Sequence, residues 1–303
     1  MKIVIAGGTG FLGRALAQRL ADDDRDVVIL TRSRSSPAPG RHLRFAAWNP
    51  EDEGLRAGEI DGADAVVNLT GESIAAKRWS AGQKQRILDS RVHATRALAR
   101  AIRASRRPPA SFVSASAVGY YGPLGDAIVT EAQAAGSDFL ATVCERWESE
   151  ATQCAGGVTR VACIRTGLAL EKGGGAFPQI LLPFKFGAGG PLGSGRQYWP
   201  WIHRDDWVAL VRWTIDTVAA AGPINATAPN PVTNAEFARA LGRALHRPAF
   251  MPAPAFALRI ALGEMADALL LSGQRAVPAK AEALGFTFRY THLDDALRAI
   301  LHG

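Results

Sequence analysis

The residues with the clearest chemical potential are three glycines near the start of the chain. Gly7, Gly10 and Gly13 follow an apolar run at residues 3–6 and open a helical pattern. The first glycine permits a tight turn, the second lets the main chain approach a phosphate, and the third lets helix and strand pack closely. Free N–H groups at the helix start then attract a diphosphate. The spacing therefore predicts a binding site for a dinucleotide cofactor. The residues predicted to contact the dinucleotide are Gly7, Thr9, Gly10, Phe11, Leu12 and Gly13.

The end of the second predicted strand indicates which dinucleotide is bound. An NAD site usually has a carboxylate there, which accepts a hydrogen bond from the ribose 2′-hydroxyl. This chain has Thr31 and Arg32, followed by Ser33 and Arg34, and no carboxylate. A guanidinium at Arg32 can pair with a 2′-phosphate and stack on adenine. The sequence therefore predicts NADP(H) as the cofactor, with Thr31 and Arg32 as contacts.

These residues need a scaffold, and the hydrophobic pattern predicts one. Short β-branched runs without period-two alternation suggest strands at 2–6, 26–31, 43–48, 65–69, 111–114 and 160–165. Helical patterns lie between them at 12–21, 81–104 and 139–154. Buried strands that alternate with helices are typical of a parallel sheet covered on both faces. The predicted fold is α/β, a doubly wound parallel sheet (Rossmann) with a smaller C-terminal substrate lobe.

The sequence pattern changes near residue 167, where glycine-rich loops follow the region of alternating strands and helices. Residues 1–167 are interpreted as the dinucleotide-binding domain, to which residues 205–226 return. Residues 168–204 and 227–303 are interpreted as a substrate or cap lobe. The apolar stretch at 256–271 is interrupted by three charged residues, which predicts a packed amphipathic helix.

Composition excludes several classes of protein. Of 303 residues, 48% are apolar and 21% are charged, the balance of a globular enzyme. No window resembles a membrane span, and the N-terminus reads as structure rather than a leader, so we expect a cytoplasmic protein with no membrane partner. The net charge of +7 is scattered, without a nucleic-acid module, so no nucleic-acid partner is expected. Cys144, Cys154 and Cys163 lack metal or disulfide spacing and are expected to be reduced, mostly buried thiols, with no metal site.

Several motifs along the whole chain carry a family resemblance. They are Gly7–Gly13, Asn68–Glu72, Lys77–Trp79, Ser90–Arg91, Gly119–Gly122, Arg165–Gly167, Gly193–Gln197, Trp201–His203 and Gly273–Arg275. In these motifs the chain resembles the atypical and extended short-chain dehydrogenase/reductases, specifically the SDR39U1-type family of NAD-dependent epimerase/dehydratase proteins, with a C-terminal segment of the DUF1731 type.

The resemblance implies further site residues. Leu69 and Thr70, at the end of the fourth strand, should lie against the adenosine and ribose half of the cofactor. Arg91, on the following helix, should reach the phosphates or a ribose. Ser116, after the fifth strand, corresponds to the hydroxyl that contacts the reacting oxygen of the substrate. Its competing interpretation is a serine in a turn at the strand end.

One departure from the family chemistry concerns proton transfer. Short-chain dehydrogenases place a tyrosine and a lysine four residues apart on a helix, so that the lysine lowers the tyrosine pKa. None of the four tyrosines here has a lysine four residues later. The helix that should carry the pair offers Phe139 with Val143, or Leu140 with Cys144, depending on register. Neither pair can move a proton.

Two consequences of this lack remain open. Another acid could serve, and Tyr121 or Tyr120 are the leading candidates because their turn follows Ser116. Ser116 and Tyr121 are accordingly the predicted catalytic residues. Alternatively, the tyrosines pack under a loop and the protein binds its cofactor without fast redox chemistry, as a regulatory NADP(H)-binding protein related to cell division.

The substrate side is predicted from the segment after residue 190. Arg196, Gln197 and Trp201 suit a wall for a polar or phosphorylated small molecule. His203 with Asp205 and Asp206 could be a metal site or an acid–base pair, but the spacing offers no evident fourth metal ligand. The resemblance to extended relatives favours a strand-to-helix junction ordered by an acidic residue. The resulting hypothesis is an NADP(H)-dependent oxidoreductase or epimerase-like enzyme with an unidentified small polar substrate. Short-chain relatives often dimerise through helices flanking the sheet, so a homodimer is compatible with the resemblance.

Overall fold

The structure is a computed structural model that describes residues 1–32, 40–50 and 58–303. Its strands, in chain order, are Lys2–Ala6 (β1), Asp26–Thr31 (β2), Leu43–Ala47 (β3), Ala65–Asn68 (β4), Ser111–Ala117 (β5), Gly125–Val129 (β6), Arg160–Thr166 (β7), Leu168–Leu170 (β8), Tyr198–Trp199 (β9), Trp201–His203 (β10), Gly222–Ala226 (β11), Val232–Thr233 (β12) and Gln274–Ala276 (β13). Its α-helices are Phe11–Asp22 (α1), Ala81–Ala104 (α2), Phe139–Thr152 (α3), Phe177–Lys185 (α4), Arg204–Asp216 (α5), Asn234–Leu245 (α6), Ala255–Leu262 (α7), Glu264–Ala266 (α8), Ala279–Ala283 (α9) and Leu293–His302 (α10).

Seven parallel strands form the central sheet, in the order β11-β7-β5-β4-β1-β2-β3. The order reverses between β1 and β4, which creates the crevice at the carboxyl ends of the strands where doubly wound sheets bind ligands. The predicted α/β fold with a doubly wound parallel sheet is confirmed. Its predicted strands at 2–6 and 26–31 and its helix at 81–104 have the predicted bounds.

The fifth strand differs from its prediction in a way that affects the site. The expected strand ended at Ser114, but β5 continues to Ala117 because it pairs with β7 along its full length. Ser116 therefore lies opposite Arg165 within the sheet and not in the turn after the strand. Its side chain points to the same face as Ser114, because alternate residues of a strand share a face.

Helices cover both faces of the sheet. One face, with Ile3, Ile5 and Val113, packs against α1 and α5, and the other, with Val4 and Phe112, packs against α2 and α3. Both faces of the central strands are therefore apolar, which explains the absence of alternation in their sequence. All three cysteines are reduced and buried, as predicted.

The C-terminal half adds a third apolar cluster, which includes Trp199, Trp201, Phe237 and Leu297. Helices α4, α6 and α10 contribute most of this cluster. The segment is joined to the rest of the fold by a separate two-stranded sheet, in which β13 pairs with β6 in parallel. It is also held by the carboxylate of Asp206 on α5, which accepts hydrogen bonds from two main-chain N–H groups near residue 290. Across the described ranges, no helix combines the length and the apolar character needed to cross a bilayer.

The prediction for residues 256–271 is wrong. Instead of one packed amphipathic helix, α7 ends at Leu262, Gly263 adopts a positive φ of 64°, and a short helix and a π-helical turn follow. None of the residues of α7 is buried, although most are apolar. Phe256 and Ile260, one helical turn apart, are among the most exposed apolar side chains described. Of the charged residues that suggested an amphipathic face, Arg259 pairs with Asp267, and Glu264 pairs with Lys84.

Candidate cofactor and substrate site

The glycine loop connects β1 to α1 in a conformation that only small residues allow. Gly7 has a φ of 80°, and a Cβ there would lie 2.6 Å from the carbonyl carbon of Leu69. A Cβ on Gly13 would lie 2.8 Å from the Cα of Gly8 and would overlap the carbonyl oxygen of Gly7. The helix therefore packs directly on the loop, and the main chain of β4 packs on the loop from the other side.

The start of α1 exposes main-chain donors. Gly10 is its N-cap residue, no side chain caps the helix, and the first turn contains no acidic residue. Donors in this position, together with the helix dipole, attract an anion. Thr9 is exposed and its carbonyl accepts a hydrogen bond from Arg14, whereas Leu12 packs against the core. Leu12 can therefore contact a ligand through its main chain but not through its side chain.

Phe11 covers the loop from the side of the C-terminal half. A Cβ on Gly175 would lie 2.8 Å from the Phe11 ring, and a Cβ on Gly174 would overlap the same ring. The main chain of the glycine-rich loop after β8 therefore packs closely against this ring. Phe11 joins the cofactor edge to the second half of the molecule.

The end of β4 lies beside the glycine loop, as the prediction for Leu69 and Thr70 requires. The Leu69 N–H donates to the Ala6 carbonyl at 2.8 Å. The Thr70 hydroxyl donates to Asn68 Oδ1 at 2.6 Å, and the buried Asn68 amide donates to Thr95 Oγ1 at 2.7 Å. This chain of hydrogen bonds fixes the loop after β4 to helix α2.

Arg91 is a partly buried cation on α2. Its guanidinium donates to the Ile87 carbonyl at 2.9 Å and lies 5.1 Å from the centre of the Trp147 ring. A Cβ on Gly71, after β4, would lie 3.0 Å from its guanidinium carbon. Burial lowers the pKa of Arg91, and the nearby carboxylate of Glu72 offsets this only in part. A cation in such surroundings is stabilised by a bound anion.

Thr31 and Arg32 lie at the same edge, at the end of β2. The Thr31 carbonyl accepts a hydrogen bond from Trp48 at 2.9 Å, and the Arg32 side chain is exposed. Ser33 and Arg34, which complete the predicted motif, lie outside the described residues. The glycine loop, Leu69, Thr70, Arg91 and Arg32 therefore all belong to the carboxyl edge of the sheet on either side of the switch point.

A second polar group of residues is buried beneath β5 and β7. Glu148, on α3, accepts two hydrogen bonds from the Arg165 guanidinium, each at 2.8 Å, and one from the Ser116 hydroxyl at 2.7 Å. The side chains of Arg165 and Glu148 are only 4% and 12% exposed. Burial lowers the pKa of Arg165, but the hydrogen bonds and charge of Glu148 outweigh it and raise that pKa above its ordinary value.

Tyr121 extends this network to the strand at the edge of the sheet. Its hydroxyl donates to Asn225 Oδ1 at 2.6 Å and accepts from Arg165 at 3.0 Å. The side chain is 1% exposed, and burial raises its pKa to about 12, although the hydrogen bond from Arg165 acts in the opposite direction. Asn225 in turn donates to the Val277 carbonyl of the C-terminal segment at 2.8 Å. We call these residues (Ser116, Glu148, Arg165, Tyr121 and Asn225) the buried network.

The geometry does not support the catalytic roles predicted for Ser116 and Tyr121. Both hydroxyls already donate to buried protein acceptors, and neither side chain is exposed. Their catalytic role stays a prediction, whereas their structural role is visible. Tyr120, the alternative acid, is partly buried and stacks on Arg165, with its ring centre 3.4 Å from the guanidinium carbon.

The helix that should carry the tyrosine–lysine pair presents apolar groups at its start. Phe139 packs edge-on against Trp79, with ring centres 5.1 Å apart, and Leu140 faces Gly119. Cys144 is buried, and burial raises the pKa of its thiol to about 11. These features agree with the sequence argument that this helix does not donate a proton.

The structure buries two of the three residues predicted to form a substrate wall, and their role as substrate contacts stays a prediction. Trp201 is completely buried and its indole N–H donates to the Asn230 carbonyl at 3.1 Å. Gln197 is buried, and its amide donates to the carbonyls of Leu192 and Leu270 at 3.0 and 2.7 Å. Both hold the C-terminal half together. Arg196 is exposed, and its position as a substrate contact stays a prediction.

His203 forms the strand-to-helix junction that was the favoured interpretation. Its Nδ1 accepts a hydrogen bond from the Asp205 N–H at 3.0 Å and so caps α5, while its ring stacks on Tyr290 at 4.0 Å. Asp206 accepts from two main-chain N–H groups at 2.9 Å. Within the described ranges, no three or more His, Cys, Asp or Glu side chains are grouped in a way that could hold a metal ion.

Sequence reasoning missed Glu148, Arg165 and Asn225 as partners in one network. Arg165 belongs to one of the family motifs, and its place in that motif assigns it no role. A charged residue inside an otherwise apolar strand was the available signal, since a buried charge requires a partner. The identity of that partner depends on how α3 packs on the sheet, which residue spacing does not reveal.

Comparison with known proteins agrees with this architecture. Residues 3–148 match the NAD dependent epimerase/dehydratase family, and residues 253–300 match a domain of unknown function, DUF1731. The chloroplastic SDR39U1 homolog of Arabidopsis thaliana, an epimerase family protein, is 42% identical over 99% of this chain and 87% of its own length. The epimerase family protein ML0860 of Mycobacterium leprae is 41% identical over 97% and 94%. The chain belongs to this epimerase family.

Its fold is shared with a solved member of the SDR39U1-type epimerase family. The crystal structure of the human epimerase family protein SDR39U1 (isoform 2), solved with NADPH, matches with a TM-score of 0.90 at 35% identity, over 99% of both chains. The chain is thus an NAD(P)-dependent epimerase-type protein of the short-chain dehydrogenase/reductase class, and the family predicted from the motifs is confirmed.

Proposed function

We propose that this protein binds NADP(H) along the carboxyl edge of its sheet and acts as an oxidoreductase or epimerase-like enzyme on a small polar substrate. The observation that carries the proposal is the uncapped start of α1, held against a glycine loop in which added Cβ atoms would collide with main chain. Such a site suits a diphosphate. The NADPH in the human relative's crystal structure supports the choice of cofactor.

The residues present fit the phosphorylated form of the cofactor. The start of α1 and the partly buried Arg91 supply donors and positive charge for the diphosphate, and Arg32 supplies a guanidinium for the 2′-phosphate. When bound, NADP(H) supplies or accepts a hydride. Leu69 and Thr70 would border its adenosine half, and Phe11 would close the loop from the opposite side.

In this proposal the buried network holds in place the part of the sheet's carboxyl edge that faces the substrate, at the ends of β5 and β7. Glu148 and Arg165 fix the ends of β5 and β7 relative to α3, and Tyr121 and Asn225 tie them to the C-terminal segment. Residues 168–204 and 227–303 form the substrate lobe, where Arg196 would meet the polar substrate in a cytoplasmic protein. The shared description of the relatives as epimerase family proteins gives the regulatory alternative no support.

The test compares NADPH and NADH binding to the wild type and to Arg32→Glu by fluorescence titration. We expect saturable NADPH binding that weakens at least about tenfold in the variant, because a carboxylate repels the 2′-phosphate, while NADH affinity changes less than about threefold. The control is Arg106→Glu, an exposed arginine before β5 at the opposite edge of the sheet. Absence of saturable NADPH binding to the wild type, or an equal loss for both cofactors, would refute the proposal.

A further inference from the structure

Four large apolar side chains stand exposed at one place in the C-terminal half. Leu182 and Phe186, near the end of α4, are 56% and 81% exposed, and Phe250 and Met251 are 75% and 52% exposed. The two pairs are neighbours because the Met251 N–H donates to the Gly189 carbonyl at 3.2 Å. We call these four side chains the apolar tips. Lys185, also exposed, lies between the first two.

A shallow depression of about 640 Å³ adjoins the apolar tips. It is lined by Arg239, Gly242, Arg243, His246, Arg247 and Ala249, and Ala249 is followed directly by Phe250. None of these lining residues is acidic. Arg243 pairs with Asp294 at 2.7 Å, and Glu236 lies near Arg239, so part of the charge is compensated. Arg247 and Lys185 add to a net positive surface. We call this depression the basic basin.

We propose that the basic basin and the apolar tips together bind the surface of an anionic lipid bilayer. Basic side chains beside protruding aromatic and aliphatic groups are the combination that holds peripheral proteins at the headgroup region. The basin would receive lipid phosphates, and Phe186, Phe250 and their neighbours would enter the interface. The proposal is independent of the proposed enzymatic function and requires no membrane-spanning segment.

Charge and exposure favour a bilayer over a second copy of the chain. A symmetric dimer through this surface would place one basic basin against another, which is electrostatically unfavourable. A groove for a peptide would line its floor with half-buried side chains, whereas the apolar tips are all more than half exposed. A bilayer accepts protruding side chains without a matching pocket. This inference departs from the expectation of no membrane partner, which rested on the lack of a spanning segment.

The experiment measures sedimentation of the full-length protein with vesicles of phosphatidylcholine alone and of phosphatidylcholine mixed with phosphatidylglycerol. We expect binding to the mixed vesicles only, weakened by high salt because the basic charges are screened. Each of two double variants, Phe186→Ser/Phe250→Ser and Arg239→Glu/Arg247→Glu, should reduce the partition coefficient at least about tenfold. All four positions are exposed, so both variants should fold like the wild type.

Matched controls replace similar residues elsewhere. Val218→Ser removes an apolar side chain that is also highly exposed, and Arg100→Glu/Arg106→Glu reverses two exposed arginines on or after α2. These variants should bind mixed vesicles like the wild type. Equal loss in the controls, no binding to mixed vesicles, or a concentration-dependent dimer that Phe186→Ser/Phe250→Ser abolishes would each overturn the proposal.

Discussion

The proposed cofactor site at the carboxyl edge of the sheet, which we call the cofactor edge, lies next to the buried network. The two regions are held together by different kinds of contact. At the cofactor edge, the decisive contacts are made by main chain, and the glycines at 7, 10 and 13 are close in sequence. In the buried network, the contacts are made by side chains. Ser116, Glu148 and Arg165 come from three separate elements and meet only when α3 packs on the sheet.

This difference determines how each region responds to change. A main-chain site is sensitive to added volume, because a Cβ cannot move out of the way. A buried ion pair is sensitive to lost charge, because the remaining partner stays in a medium of low polarity. The cofactor edge should therefore lose ligand affinity when altered, whereas the buried network should lose stability.

The largest expected effect is in the buried network. Glu148→Gln keeps the shape of the side chain but leaves the Arg165 guanidinium buried without a counter-charge, which should reduce the free energy of unfolding by about 3–5 kcal/mol. Urea denaturation followed by circular dichroism measures this loss.

A matched control lies on the same helix. Glu150 pairs with Arg96, whose side chain is 42% exposed, so Glu150→Gln should cost about 1 kcal/mol or less. If the two variants lose equal stability, the burial of the Glu148–Arg165 pair does not have the energetic weight assigned to it.

The next effect in size concerns the cofactor edge. Gly13→Ala places a methyl group 2.8 Å from the Cα of Gly8 and against the Gly7 carbonyl, so the loop must shift. NADPH affinity should fall about 100-fold, a change of about 3 kcal/mol, in a fluorescence titration. Gly157→Ala is the control, because a Cβ there meets nothing within 4 Å. Unchanged affinity in Gly13→Ala would show that the loop adapts and does not define the site.

The same contrast explains what the sequence could predict. The fold, the glycine loop and the polarity of the β2 end depend on local patterns, and the predicted bounds of β1, β2 and α2 agree with the structure. The burial of Trp201 and Gln197 was not predicted, because polar or aromatic character does not distinguish a ligand contact from a core contact. Gln197 donates to the carbonyl of Leu270, a residue far along the chain, and only the packing of that segment reveals it.

The exposure of α7 could not be predicted for a related reason. Its apolar sequence fits a buried helix, yet the helix ends at Gly263, which has a positive φ and lies next to Arg78. The next residue, Glu264, forms a salt bridge with Lys84 at 2.5 Å. The salt bridge at Glu264 and the buried side chains of Met265 and Ala266, all beyond the end of α7, thus anchor this segment. Hydrophobic pattern alone gives no information about the salt bridge.

The smallest expected effect concerns the junction before α5. The start of this helix is capped by a side chain, that of His203, whereas no side chain caps the start of α1. His203 accepts the Asp205 N–H through Nδ1, so capping requires its neutral form. Burial lowers the pKa of His203 below 6.5 and outweighs the nearby carboxylates of Asp205 and Asp206. A lowered folded-state pKa stabilises the protein above the unfolded value, and this contribution is lost as the pH falls below it.

His203→Asn should remove this pH dependence while keeping an oxygen that can cap the helix. Between about pH 7.5 and about pH 5.5, the wild type should lose up to about 1.4 kcal/mol more unfolding free energy than the variant, in paired urea denaturation curves. The carboxylates around the junction are common to both proteins, so the difference reports the imidazole together with its coupling to Asp205 and Asp206. Parallel curves for the two proteins would mean that protonated His203 still fits the junction, and that the cap of α5 does not depend on the charge state of its side chain.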